Sequence, residues 1–339
     1  MKSKNVTMKD IAEYTGVSTA TVSRVLNDNY PVNIETKKKV LKAMKELNYE
    51  PNLVARNLRS RKSNLVAIIV ADIKNPYYTN IAKQIDDYLF TEGYNLIICN
   101  TDESPKKEKE IIRMLLSRNI DAIAIAPSDS QNTDLSGLID QNVPIVLLDR
   151  KIKDLQLPFV GTDNFKEAYS LTKFLIEKGH RNIGIINGSL KTSTGEERFL
   201  GYKKAMEDHG LSIDEKWMYN GGFEEKKAYD VLKRFLQTGD ELPTALFSCN
   251  NLMTRGAIKA LKEGNVDIPD DLSLISFGAL ANQDLICPRI TCIEQDTTYI
   301  GRKAAELLLG KLKNKKQPQK TSVIIESIFL PGDSVKEIL

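Results

Sequence analysis

Three short amphipathic stretches open the chain, and a long alternation of apolar runs with amphipathic segments follows. Ile11, Ala12 and Tyr14 follow a Thr7–Asp10 spacing that suits a capping box, and Gly16 marks the stop of that first helix. Ser18 can cap a second helix over 19–27, in which Val22, Val25 and Leu26 recur three and four apart. The rest of this stretch, STATVSRVLN, is small and polar, so the helix has little to bury. A third helix is expected in NIETKKKVLKAMKELNY, with Val40, Leu41, Met44 and Leu47 along one face and Pro51 ending the unit. Residues 52–62, NLVARNLRSRK, suit a short helix or a basic linker.

From Leu65 the texture changes. LVAIIV (65–70), NLIICN (95–100), DAIAIA (121–126) and PIVLLD (144–149) are β-rich runs separated by stretches of helix length. NIGIIN (182–187), TALFSC (244–249) and LSLISF (272–277) continue the series. Continuous apolar runs between helices predict parallel strands covered on both faces. Polar residues end or follow several runs (Asp72, Asp149, Asp163, Asn250), and open parallel sheets bind ligands beyond the carboxyl ends of their strands.

Composition narrows the function. At 339 residues with 41% hydrophobic and 27% charged, the chain reads as an ordinary globular protein of two or three units. No apolar run approaches the ~20 residues that span a bilayer, and MKSKNVTMKD lacks the apolar core of a signal peptide, so a cytoplasmic location is expected. Cys99, Cys249, Cys287 and Cys292 have neither metal-ligand nor redox spacing and read as reduced thiols. With His180 and His209 the only histidines, neither a metal site nor a cofactor is expected, and His180 in GHRNIG reads as structural. Neither GxGxxG nor GxxxxGK[ST] occurs, and no nucleophile–base–acid set is visible, so enzyme chemistry has no support.

Charge is unevenly placed. Residues 1–62 hold 13 Lys/Arg against 6 Asp/Glu, whereas residues 63–339 hold 35 against 39. A basic head on a mildly acidic body points to a polyanion partner. Helix, Gly-containing turn and small-residue helix make a helix-turn-helix. Val22, Val25 and Leu26 would face the other helices, leaving Thr19, Ala20, Ser23 and Arg24 outward. Arg24 can give two hydrogen bonds to guanine O6 and N7, beside Thr19 and Ala20 as further base readers. Ser18, Thr21 and Ser23 suit caps and phosphate oxygens, and Thr7, Asn27 and Asn52 are placed with them at the DNA surface.

VTMKDIAEYTGVSTATVSRVLN, followed by KELNYEPNLVARNLRS, resembles the DNA-binding head of the LacI/GalR family of bacterial repressors. KNPYY, FLIEKGHRNIGIING, RFLGYKKAM, DLSLISFG and ITCIEQD continue the resemblance over nearly the whole chain. It implies an α/β fold: a helix-turn-helix head over 1–50, a hinge helix and linker over 51–62, and a core over 63–339. The core would comprise two doubly wound parallel-sheet subdomains of periplasmic-binding-protein type, at about 63–161 with 292–322 and about 162–291 with 323–339. In the hinge, Leu58 would wedge into the minor groove and kink the operator, with Ala55 and Arg56 beside it. The implied partners are pseudo-palindromic operator DNA, a small sugar or sugar-acid effector and a second copy of the chain. The C-terminal segment SVIIESIFLPGDSVKEIL lacks a leucine heptad, which favours a dimer over a tetramer.

The resemblance also carries effector residues. Tyr77 and Tyr78 fall where ligand-stacking aromatics lie, with packing on the dimer surface the alternative for one of them. Arg198, Thr194 and Phe223 match ligand-contacting positions, and Asn251 and Gln295 match polar cleft positions. Asp149 and Asp163 would accept from ligand hydroxyls or cap helices. Gly278 stands where many members carry Asp, while Arg150, Lys191 and Arg198 remain at the expected rim. That loss of a carboxylate favours an acidic sugar such as a uronate or keto-deoxy sugar acid, with a neutral sugar the competing reading. Induction and co-repression both remain open, and an exported solute-binding protein is disfavoured by the basic head.

Overall fold

The computed structural model describes residues 6–27, 31–49, 63–313 and 321–338. The chain divides into two compact units that meet between Ser63 and Asn64. In the first, α1 (Met8–Thr15), α2 (Thr19–Asn27) and α3 (Ile34–Glu46) are set by their caps. Thr7 Oγ1 accepts from the Asp10 amide at 3.4 Å, and the Asp10 carboxylate accepts from the Thr7 amide at 2.7 Å. Gly16, at φ 66, takes the left-handed conformation that ends α1 and lets its N–H donate back to the last turn. Ser18 Oγ accepts from the Thr21 amide at 3.1 Å and so caps α2.

Ile11, Ala12, Val22, Val25, Val40 and Ala43 form the buried centre of this unit, with Leu26, Met44 and Leu47 packed against it. Leu41, expected on the buried face of α3, is exposed. Val40, Ala43, Met44 and Leu47 already define the inward stripe at i, i+3, i+4 and i+7, and Leu41 lies a further 100° round the helix.

The larger unit begins with β1 (Leu65–Val70), α4 (Pro76–Phe90), β2 (Asn95–Asn100), α5 (Pro105–Ser117) and β3 (Ala122–Ile125). It continues through α6 (Ser136–Asp140), β4 (Ile145–Leu148) and β5 (Phe159–Gly161). Then come α7 (Asn164–Glu177), β6 (Ile183–Asn187), α8 (Ser193–Asp208), β7 (Met218–Asn220), α9 (Glu225–Thr238) and β8 (Ala245–Ser248). The last elements are α10 (Asn251–Glu263), β9 (Ser273–Phe277), β10 (Thr291–Glu294), α11 (Thr297–Leu312), β11 (Ser322–Ile324) and β12 (Ile328–Leu330).

Two six-stranded sheets result, in the orders β11-β5-β4-β3-β1-β2 and β12-β10-β9-β8-β6-β7. Among the described residues every pair is parallel except β10 with β12. Alternate residues of β1 serve opposite faces. Val66, Ile68 and Val70 pack with Ile81 and Ile85 of α4 and Ile300 and Leu308 of α11. Ala67 and Ile69 pack with Ile112 and Leu115 of α5 and Leu138 of α6. The central strands β1, β3 and β4 are apolar throughout because both faces are covered.

The seven apolar runs named from the sequence all contain strands, and β5, β7, β10, β11 and β12 come in addition to them. Among the described residues the chain crosses between the sheets three times: from β5 to α7, from β10 to α11 and from β11 to β12. Cys292 and Ile293, expected in the first subdomain, belong to β10 and pair with β9 in the second sheet. Val323 and Ile324, expected in the second, pair with β5 in the first. Each segment completes its strand hydrogen bonds before it crosses, which moves these two boundaries along the chain.

His180 closes the turn between α7 and β6. Its ring is buried, with Nδ1 3.0 Å from Thr244 Oγ1 and Nε2 3.1 Å from the Lys336 carbonyl, so it ties down the C-terminal segment. Burial lowers its pKa from the ordinary 6.5, and the nearby Lys336 charge acts the same way. The neutral ring is therefore favoured in the fold, and the unfolded chain binds the proton more readily. This contribution to stability is complete above the unfolded value and is lost as pH falls from there towards the lowered folded value. Urea midpoints should drop between about pH 7.5 and about pH 5, and His180→Asn should flatten part of that slope; an identical slope in both proteins would refute the assignment.

Candidate functional site

On the first unit, α2 shows the two faces its sequence implies. Val22 and Val25 are buried, while Ser18, Thr19, Ala20 and Arg24 are exposed and Thr21 and Ser23 are half-buried. The exposed face is a ridge of small side chains with one guanidinium, a shape that enters a DNA major groove. Thr7 is exposed at the start of α1 and Asn27 is the last residue of α2. Asn52, Ala55, Arg56 and Leu58, the hinge residues expected to act at the DNA, lie outside the described residues.

In the larger unit a cavity of about 420 Å³ opens between the two sheets. It lies at the carboxyl ends of the strands, where α4, α8, α10 and α11 begin. Tyr77, Tyr78, Asp149, Arg150, Thr194, Arg198, Phe223, Asn251, Gly278 and Gln295 all line it. Asp163 does not; its exposed carboxylate accepts from the Lys166 amide at 3.0 Å and caps α7, the helix-cap alternative for that residue.

Asp149 is the hub. Its backbone sits at φ 61 beyond the end of β4, and its side chain is buried. The Tyr77 hydroxyl donates to Oδ1 at 3.2 Å and the Tyr78 hydroxyl to Oδ2 at 2.9 Å, with the two rings edge-on at 5.1 Å. Burial, reinforced by the Asp149 charge, pushes both phenols well above their usual pKa, so they stay donors. Both tyrosines therefore face the cavity.

Two arginines flank Asp149. Arg198 donates from Nε to Asn164 Oδ1 at 2.8 Å and from Nη1 to the Cys249 carbonyl at 2.6 Å, and its Nη2 lies 4.0 Å from Asp149. Its guanidinium covers the Phe277 ring at 3.6 Å. Arg150 is clamped by both oxygens of Glu103, at 2.7 and 2.6 Å, and also donates to the Pro127 carbonyl at 3.1 Å. It lies over Phe223 at 5.0 Å, so that pocket aromatic already carries a guanidinium.

Polar side chains also join the two sheets' halves across the cavity. Asn251 Nδ2 donates to Asn75 Oδ1 at 3.0 Å, linking the beginnings of α10 and α4. Gln295 Nε2 donates to Thr162 Oγ1 at 3.1 Å.

The expected cationic rim does not form. Lys191 is exposed and is not among the lining residues, and Arg150 is neutralised by Glu103. Gly278 also has a backbone reason for being glycine. Its φ of 93 lies in the region that L side chains avoid, although an added Cβ would meet nothing closer than 3.8 Å. Glu103, Asn75, Asn164 and Phe277 shape the site without having been singled out in the sequence; the position of Glu103 just after β2 was the available signal.

A helix-turn-helix unit followed by a two-sheet binding-protein core with a polar cavity defines a ligand-responsive DNA-binding regulator. Comparison with known proteins gives the family. Residues 7–52 match the bacterial regulatory proteins of the lacI family, and residues 63–333 match the periplasmic binding proteins and sugar binding domain of the LacI family. The chain is 35% identical over 336 residues to the HTH-type transcriptional repressor PurR of Haemophilus influenzae (strain PittEE), covering 98% of this chain and 99% of that one. It is also 35% identical over 329 residues to the HTH-type transcriptional regulator RegA of Clostridium saccharobutylicum, covering 96% and 98%. Among solved structures, a CelR–cellobiose complex superposes with a TM-score of 0.72 at 25% identity, covering 97% of this chain and 99% of that one. A lac repressor dimer bound to operator and the anti-inducer ONPF gives 0.85 at 23%, covering 98% and 100%, and shares the fold. The chain belongs to the LacI family: it is a DNA-binding transcriptional repressor with a ligand-binding domain. No helix among the described residues is long and apolar enough to cross a membrane, and no group of three or more His, Cys, Asp or Glu among them is placed to hold a metal ion.

Proposed function

We propose that the effector is a neutral, hydroxyl-rich small molecule, a sugar, that occupies the cavity and releases the repressor from the operator of a carbohydrate-catabolism operon. The observation that carries this reading is the charge state of the floor: Asp149 and Glu103 balance Arg150 and Arg198, so the site offers hydrogen bonds without a spare cation. A cavity of about 420 Å³ falls in the range of small-ligand sites. The related CelR structure holds cellobiose, which supports a sugar here. The sugar-acid reading relied on a cationic rim, but Lys191 lies outside the cavity lining and Arg150 is paired with Glu103.

Thr19, Ala20 and Arg24 read the bases, with Thr7, Ser18, Thr21 and Ser23 serving caps and phosphates. The protein acts as a homodimer, because a two-fold-symmetric operator needs two recognition helices about one DNA turn apart. Effector binding shifts the balance between cavity states only through its different affinity for them.

The test is a gel shift on operator DNA with a panel of neutral pentoses, hexoses and disaccharides and their uronate or aldonate counterparts. At least one neutral sugar should release the DNA and bind by calorimetry. Release by acids alone would overturn the neutral reading. DNA binding that appears only when ligand is added would make the ligand a co-repressor.

A further inference from the structure

Four ionised groups share the buried floor of the cavity, two of each sign. Their closest N–O separations are 2.6 Å for Arg150–Glu103, 3.9 Å for Arg150–Asp149 and 4.0 Å for Arg198–Asp149. The side chains of Arg150, Arg198 and Asp149 are almost wholly buried, and that of Glu103 is 15% exposed. Charges in such surroundings interact at low effective dielectric, so their sum governs which ligand charge the floor accepts. Asp72 and Glu294 also line the cavity, but they reach solvent, where water and salt weaken their influence.

Glu103 completes this balance from outside the strand framework. It stands in the loop between β2 and α5, at φ 55, and reaches Arg150 with both oxygens. That bidentate grip occupies Nη1 and Nη2, and Nε of Arg150 is left without a hydrogen-bond partner.

We propose that Glu103 sets the charge selectivity of the effector site: by neutralising Arg150 it holds the buried cluster at zero net charge and excludes anionic ligands. The inference rests on the reading of this cavity as the effector site. An anion entering the present cluster would meet Asp149 and Glu103 with no spare cation to receive it. Without the Glu103 charge, Arg150 would present a forked pair of donors beside Phe223, a geometry that matches a carboxylate or sulfate. A neutral sugar would gain nothing from that change. The charge of the effector would then depend on a residue that need not touch it.

Glu103→Gln keeps the shape of the side chain and removes its charge. Calorimetric titration with glucose and glucuronate, which differ at C6, reads the preference. The affinity ratio should move towards glucuronate by about tenfold or more in E103Q, the scale of one uncompensated buried charge. A ratio that stays within about threefold of wild type overturns the proposal. If the wild-type protein binds neither glucose nor glucuronate, sulfate tests Glu103 apart from the sugar reading. At matched ionic strength, sulfate should raise the melting temperature of E103Q more than that of wild type. The excess should vanish in E103Q with Arg150→Gln. Equal sulfate responses in E103Q and wild type overturn the proposal.

Discussion

Replacing Val22 by Asp should abolish operator binding while leaving effector affinity unchanged. Val22 is fully inaccessible at the centre of a cluster whose buried members among the described residues are Ile11, Ala12, Val22, Val25, Val40 and Ala43. A core that small supplies no more than about 3–5 kcal/mol of stability. An ionised carboxylate in apolar surroundings has no partner there, and either its burial or its forced protonation costs several kcal/mol. The head should therefore unfold, and α2 should lose the face that carries Thr19, Ala20 and Arg24. The larger unit has its own core clusters, so calorimetric binding of the effector should survive within about twofold, the usual limit of an uncoupled site. Retained gel-shift activity in V22D would separate DNA binding from this head altogether.

Asp149→Ala should have the largest effect on the effector side. The substitution leaves the Tyr77 and Tyr78 hydroxyls without their acceptor and removes the anion between Arg150 and Arg198. Breaking a buried charge network by deleting one partner costs about 3–5 kcal/mol. Effector affinity should fall by about 100-fold or more, and the urea midpoint of the core should drop with it. Asp149→Asn, which keeps an acceptor oxygen but not the charge, should recover part of the stability. Operator release by D149A at wild-type effector concentrations would remove Asp149 from the site.

What the sequence disclosed, and what it withheld, follows from distance along the chain. The head was legible because its determinants are local: Thr7 and Asp10 three apart, Gly16 at a left-handed stop, and Val22 and Val25 on one helical stripe. The central strands were legible because burial on both faces makes them apolar throughout, as in β1, β3 and β4. Strands such as β5 and β12 hold their places through neighbours already in the sheet, and three residues carry no periodicity to read. Ten effector residues named from the family resemblance line one cavity, yet the sequence did not show how their charges pair. Glu103 and Arg150 are 47 positions apart, and counting cations singly could not show that one of them is already paired. Gly278 carries two readings at once, a backbone at φ 93 that suits glycine and a pocket position without an acid.

The three crossings of the chain give the core a mechanical consequence. Their strands, β5 with β11 and β10 with β12, are the neighbours at one edge of each sheet, and among the described residues the opposite edges, β2 and β7, carry no link. The core is thus built as a clamshell with its spine along that linked edge. From β11 to β2 is five strand spacings in the sheet order. At about 4.8 Å each that is a lever arm of about 24 Å, so a rotation of about 10° at the spine moves the far edge by about 4 Å. A change at the cavity smaller than the width of one atom, turned about that spine, would reach the far edge as a displacement about the size of a side chain.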